Sequence, residues 1–241
     1  MTRHVARHTA LLLAGLALHG LATHAWAQQK STPSAGQITP GEPQITFTFD
    51  REGLPVPHFV LVIHRDGTGT YAADEVERRS ADSALQQATQ HHVERSLALS
   101  PATTDTIFQM AERAKYFHLE CQSKAKVADT GRKVLSYASS AETGSCTYHF
   151  SENKDVAALG DLLQGLAATM DIGRKLEFEH RFDHLGLDAE MQSLARQLQE
   201  KQVYDVGTIA PVLSSIVQDD TLIQRVRVLA GRLLEQAAAT R

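Results

Sequence analysis

The sequence predicts an α+β protein: an N-terminal antiparallel sheet with one packed helix, followed by an all-helical C-terminal half of about four helices. Three observations carry this. Up to Phe150, apolar and polar residues alternate in short runs, the period of half-buried strands. From Asp155 onward the apolar residues recur at three and four positions, the period of helices. Between two β-branched runs stands Asp66-Gly67, a dipeptide that favours the positive φ angles of a tight hairpin. The change of period falls near Ser151 to Asp155 and has no flexible linker. Residues 44–152 are therefore expected as a sheet-bearing part, and residues 153–241 as a helical part packed on it.

Gln44 to Asp50 opens the sheet, with Ile45, Phe47 and Phe49 on one face and Thr46 and Thr48 on the other. Phe59 to His64 is a second strand. Asp66-Gly67-Thr68-Gly69 turns the chain into a third, Thr70 to Val76. Glu77 to Gln90 is polar and small and reads as a long exposed loop or a loose helix. Val93 to Leu99 alternates again. Ser100-Pro101 starts a helix, the serine as N-cap and the proline at the first helical position. Ile107, Phe108, Met110, Ala111 and Ala114 follow at helical spacing, and Tyr116-Phe117 closes it. Lys124 to Ala128 and Arg132 to Ala138 read as a hairpin around Asp129-Thr130-Gly131, with Cys146 to Phe150 as a last strand. Val156, Leu159, Leu163, Leu166, Met170 and Gly173 predict one long amphipathic helix from Asp155 toward His184, ended by Gly186 as its C-cap. Asp188 is expected to cap a second helix carrying Met191, Leu194, Ala195 and Leu198. Ile209 to Val217 and Thr221 to Ala238 supply the last two.

Residues 1–27 have the layout of a secretory signal peptide. Arg3, His4, Arg7 and His8 make a positive start, Thr9 to Ala22 an apolar run, and Ala25-Trp26-Ala27 a small-residue cleavage site before Gln28. Gly15, His19 and Gly20 interrupt the run, which falls short of the about 20 apolar residues of a membrane span. No later segment is apolar for long enough to cross a bilayer, so no membrane span is expected after cleavage. The expected location is the periplasm or the extracellular space. Residues 28–43 carry prolines, glycines and serines without an apolar period and read as a disordered linker. Losing Arg3 and Arg7 from 24 basic residues leaves 22 against 28 acidic ones, a charge of −6 with histidine neutral. That balance argues against a nucleic-acid partner.

The order of pieces over about Gln44 to Phe150 resembles families of secreted bacterial proteins of unknown function. The shared outline is a strand, an Asp-Gly-x-Gly-x-Tyr hairpin (Asp66 to Tyr71), a strand leading into a Ser-Pro-capped helix, and a closing hairpin. The resemblance implies a fold and an exported protein; it implies no activity and no site residue.

In an oxidising compartment the two cysteines, Cys121 and Cys146, are expected to pair. The hairpin reading stands against this. It places one strand between them, so that they lie two strand spacings or about 9.5 Å apart, beyond the roughly 7 Å between Cα atoms that a bridge spans. The bridge requires Cys121 outside the ladder, just after the helix, or a different strand order. Asp129-Thr130-Gly131 matches the short motif of aspartic proteases, but those enzymes need two such carboxylates and this chain has one copy; the tripeptide reads first as a turn. Glu177, His180 and His184 share one helical face and are the candidate metal ligands, against their reading as a solvated last helical turn. His91-His92 would face opposite ways on a strand. Asp219-Asp220 reads as acid at a helix start. With no phosphate loop, dinucleotide fingerprint or Gly-x-Ser-x-Gly elbow, no catalytic residue and no cofactor is assigned.

Three functions follow. The first is an exported, non-catalytic binding or interaction module for a protein or a small-molecule ligand, marked by an exposed apolar groove or patch between the two parts. The second is a hydrolase whose site gathers residues distant in sequence, marked by convergence of His149, His180, His184 or Asp129 with a serine or an acid. The third is a structural envelope protein whose helical part oligomerises.

Overall fold

A computed structural model describes residues 41–77 and 89–239. The signal peptide, nearly all of the linker and the polar stretch 78–88 lie outside the described residues. Six strands, β1 (Gln44–Asp50), β2 (His58–His64), β3 (Thr68–Glu77), β4 (Thr89–Ala98), β5 (Arg132–Ala138) and β6 (Thr143–Tyr148), form one antiparallel sheet in the order β4-β3-β2-β1-β5-β6. One helix, α1 (Pro101–Arg113), interrupts the strands. Four more follow them: α2 (Lys154–Phe182), α3 (His184–Gln199), α4 (Ala210–Gln218) and α5 (Gln224–Ala239). The protein is thus α+β, with the sheet first and the helices after it.

The period of two decides which face is covered. In register, Phe47 lies opposite Leu61 and Leu135, and Leu61 opposite Tyr71. These side chains, with Ile45, Ile63 and Phe117, are buried and share one continuous apolar core with Ile107 and Ala111 of α1 and with Val156, Leu159, Leu163 and Leu166 of α2. Ser100 caps α1 as its sequence predicts, its hydroxyl accepting from Thr103 N. At the first hairpin, Gly67 takes φ +85°, a conformation that costs a side-chain-bearing residue dearly.

α2 is more deeply placed than an amphipathic surface helix. From Val156 to Leu176 it is buried on several sides, with Gly160, Leu162, Gly165, Ala167, Thr169 and Ile172 enclosed as well as the expected stripe. A helix that is apolar on more than one face belongs between layers. Here it has the sheet and α1 on one side and α3 and α4 on the other.

Four expectations are corrected. Lys124 to Ala128 is not a strand: its residues are exposed, and Val127 has no apolar face to join. β5 pairs instead with β1 and with β6, and the closing hairpin turns at Ser139 to Glu142. Gly186 is not a C-cap. Asp183 separates α2 from α3, and its carboxylate accepts from Leu185 N and Gly186 N, so it caps α3 five residues before the expected cap at Asp188. Asp188, expected as that cap, lies inside α3 and binds Arg225 at 2.6 and 3.0 Å. β4 begins at Thr89 rather than Val93; it is an edge strand whose first residues are exposed on both faces, which hides the alternation.

Without a strand at Lys124 to Ala128 the two cysteines can meet. With residues 118–130 outside the ladder, Cys121 lies over β6 and is bonded to Cys146, with the Cα atoms 5.8 Å apart. Just before it, Lys115, Tyr116 and Phe117 all take positive φ, of 52°, 49° and 69°. Three successive left-handed residues without glycine are strained by roughly 1–2 kcal/mol each. The turn holds because Phe117 is buried in the core and Tyr116 packs against Tyr137 with ring centres 4.5 Å apart.

Candidate functional site

A cleft of about 500 Å³ opens where the ends of β3 and β4 meet α2. Its walls are apolar: Pro55 and Val56 from the β1–β2 loop, Val76 of β3, Val93 of β4 and Phe178 of α2. Its polar side is a four-charge network. The Arg174 guanidinium pairs with Glu75 and with Asp171 (3.2 Å), and Lys175 reaches Asp171 at 2.9 Å. Burial pushes the Glu75 carboxyl above the usual carboxylate range, against the pull of Arg174. The same burial, with Asp171 and Glu75 nearby, raises the Tyr71 phenol well beyond its ordinary value. Each of these charges is matched by another, so the network joins α2 to the sheet edge and leaves the apolar walls to face a ligand. Alongside, Arg95 of β4 bonds Glu177 of α2 at 2.7 Å.

Phe178 carries the cleft outward. It is 57% exposed and packs at a tilt against Phe182, 65% exposed, with ring centres 5.0 Å apart; Leu185 follows at 89% exposed. Arg181 lies over the Phe182 ring at 5.2 Å. Large apolar side chains this open are uncommon in a group. In sequence 178, 182 and 185 keep helical spacing and are displaced from the core stripe that ends at Leu176, although Leu185 lies on α3, past the break at Asp183. That second stripe was the available signal in the sequence, and reading α2 by its first stripe alone passes over it. Asp171, Arg174 and Lys175 stand at the i, i+3 and i+4 spacing of helical ion pairs and were legible as such; Glu75, from a distant strand, carried no signal.

The candidate metal ligands are not gathered. Glu177 is turned to Arg95, His180 donates from Nε2 to Asp219 Oδ2 at 2.9 Å, and His184 donates from Nε2 to the His180 carbonyl at 3.1 Å. Among the described residues no group of three or more His, Cys, Asp or Glu side chains could hold a metal ion. Asp129-Thr130-Gly131 leads into β5 as a local turn, with Gly131 N donating to Asp129 Oδ1 at 2.8 Å and His149 Nδ1 to the same oxygen at 3.1 Å. These two bonds hold the Asp129 carboxyl below its ordinary value. His92 and His58 face Asp74 and Asp50 at 2.8 and 2.6 Å. Arg132 joins Asp50 at 3.3 Å, making a row in which nitrogen bases alternate with carboxylates across β4, β3, β2, β1 and β5.

One histidine meets both a serine and an acid. His180 Nδ1 is 3.5 Å from Ser215 Oγ of α4, while its Nε2 faces Asp219. Two bonds from Thr221, Oγ1 at 2.6 Å and N at 3.0 Å, fix the other carboxylate oxygen of Asp219. The Thr221 bonds first, and His180 second, lower the Asp219 carboxyl to about 2. Ser215 was in no candidate set. Comparison with known proteins adds no assignment to these sites, since no family model matches the chain and no curated protein does.

Proposed function

We propose that this protein is an exported binding module that takes a partner along the cleft between the sheet edge and α2 and the apolar ridge continuing from it. The observation that carries the reading is the run Phe178, Phe182 and Leu185, three large apolar side chains held open to solvent beside apolar cleft walls. Burying them against a partner would remove apolar surface from water, worth about 25 cal/mol per Å². The paired charges of Glu75, Arg174, Asp171 and Lys175 fix the cleft wall in place, which keeps the ordering cost of binding low.

Export is supported by the signal-like first 27 residues, by the paired cysteines, and by the resemblance of residues 44–150 to families of secreted bacterial proteins. No helix among the described residues is long and apolar enough to cross a membrane. Cell fractionation with N-terminal sequencing tests this part. The expected result is a mature chain beginning at Gln28 outside the cytoplasm; an uncleaved cytoplasmic chain overturns it.

The binding reading is tested by capture from the native envelope fraction with the wild-type protein and with a Phe178→Ser, Leu185→Ser double variant. Both side chains are exposed, so the variant keeps its thermal midpoint. The same partner should be held by the wild type and lost from the variant. Equal capture by both proteins would remove the ridge from the reading.

A further inference from the structure

We propose that Ser215, His180 and Asp219 form a nucleophile, base and positioning residue for acyl transfer from small, activated esters. The site is distinct from the binding cleft and does not rest on the binding reading.

The surroundings of His180 fix which ring nitrogen carries the proton. Asp219 Oδ1 is occupied by two bonds from Thr221, so its remaining oxygen, Oδ2, points at His180 Nε2 at 2.9 Å. A carboxylate at that distance requires the imidazole proton on Nε2. In the neutral ring the other nitrogen is then a bare acceptor. That nitrogen, Nδ1, faces Ser215 Oγ at 3.5 Å. The orienting logic is that of a serine–histidine–aspartate triad with the two ring nitrogens exchanged. Ser215 now donates to the Val212 carbonyl at 2.8 Å. A hydroxyl hydrogen rotates about its own C–O bond without moving the oxygen, so it can pass from Val212 O to Nδ1 as substrate arrives. Nucleophile–base contacts are commonly long in an unliganded site and shorten on binding. Ser215 lies on the exposed side of α4, and the His180 side chain is 19% exposed. The serine is therefore reachable while its base is largely withdrawn from water.

The step balances within these groups. Ser215 Oγ bonds to the ester carbonyl carbon as its proton moves to His180 Nδ1. The carbonyl–alkoxide bond then breaks, and the alcohol leaves with that proton. Water reverses the sequence. Its oxygen takes the acyl group, its proton returns through Nδ1 to Ser215 Oγ, and the net reaction is ester plus water to acid plus alcohol. Asp219 touches no substrate; it holds the ring in the tautomer that leaves Nδ1 open.

A fluorophosphonate probe on the purified full chain tests the proposal, read by peptide mass spectrometry. Attack by Ser215 forms a phosphorus–oxygen bond and expels fluoride. The expected result is an adduct on Ser215, absent in Ser215→Ala with an unchanged thermal midpoint, and formed about 100-fold more slowly in His180→Gln, the usual scale of general-base assistance. The positioning role of Asp219 is read by ¹⁵N NMR of the His180 ring. The proton should be on Nε2 in the wild type and move to Nδ1 in Asp219→Asn, with labelling falling in parallel. Absence of an adduct on Ser215, equal rates in the wild type and His180→Gln, or a wild-type proton on Nδ1 would each overturn the proposal.

Discussion

At the scale of single residues, this protein uses its carboxylates as fixed hydrogen-bond acceptors, some within a turn and some between distant elements. Four aspartates show the pattern. Asp66 accepts from Thr68, Asp129 from Gly131 and His149, Asp188 from Arg225, and Asp219 from Thr221 and His180, and in each case these bonds hold the carboxyl below its ordinary value. The sign of the pH effect follows. A carboxyl whose folded value is depressed contributes stability that is present above its unfolded value and is lost as pH falls toward the folded one. For Asp219 that window runs from 3.8 down to about 2. Chemical denaturation followed from pH 5 to pH 2 should show stability falling through this window, with a shallower fall in Asp219→Asn. Identical slopes would show that the Thr221 and His180 bonds do not distinguish the ionised form. The aspartates also mark the limit of a residue-by-residue reading. Asp129 is legible as a turn residue and is one; Asp219, expected at the start of the last helix, instead caps the C-terminal end of α4, since α5 begins only at Gln224. Only the fold adds His180, 39 positions before Asp219, to the second of them.

At the scale of elements, local chemistry was readable wherever an element's own residues settle its form. Ser100-Pro101 is such a case, and Ser100→Ala should cost about 1 kcal/mol in thermal or chemical unfolding, the usual value of an N-cap hydroxyl. The closing hairpin was misread because Lys124 to Ala128 has the alternation of a strand but lacks a neighbour, whereas Arg132 to Ala138 finds one in β1. Strand pairing is a contest between distant segments, and a single stretch does not contain its outcome. The left-handed turn at Lys115 to Phe117 is a stronger instance, since nothing in Lys-Tyr-Phe asks for positive φ. Its carbonyl passes so close to Gly144 that a β-carbon there would lie 2.2 Å from Tyr116 O, a backbone atom that has little room to give. Gly144→Ala should therefore destabilise the protein by about 1–3 kcal/mol, as other overpacking changes do. The Cys121–Cys146 bridge ties the chain four residues beyond the turn to the same strand, across a separation of 25 residues. Cys121→Ala with Cys146→Ala should lower stability by about 3 kcal/mol through loop entropy alone. Hydrogen exchange should rise first at Lys115 to Phe117 and along β6; a loss spread evenly over the molecule would contradict this link between bridge and turn.

At the scale of the whole molecule, the described residues share one core, and α2 is its centre. Ile45, Phe47 and Leu61 of the sheet belong to the same apolar cluster as Leu187, Met191 and Leu213 of the distal helices. A sheet with one covered face has no stable alternative partner for that face. Residues 44–152 produced alone should therefore fail to unfold cooperatively and should expose the Phe47 face, read by dye binding and by the loss of a calorimetric transition. A sharp transition from that fragment would show two independent folding units instead. The sequence by itself determined the fold class, the six described strands together with a seventh that does not form, the four helices described after Asp155 and the main inward stripes, because periodicity is imposed by burial and is written locally. It also named the pair Cys121 and Cys146 from their number. The tertiary structure alone decided the strand order that lets those cysteines meet, the left-handed turn beside them, and the exposure of Phe178, Phe182 and Leu185. It likewise brought Ser215 to His180 and turned Glu177 and His184 away. Each of these depends on which distant segment wins a neighbour, and that competition is settled by the packing of the whole chain.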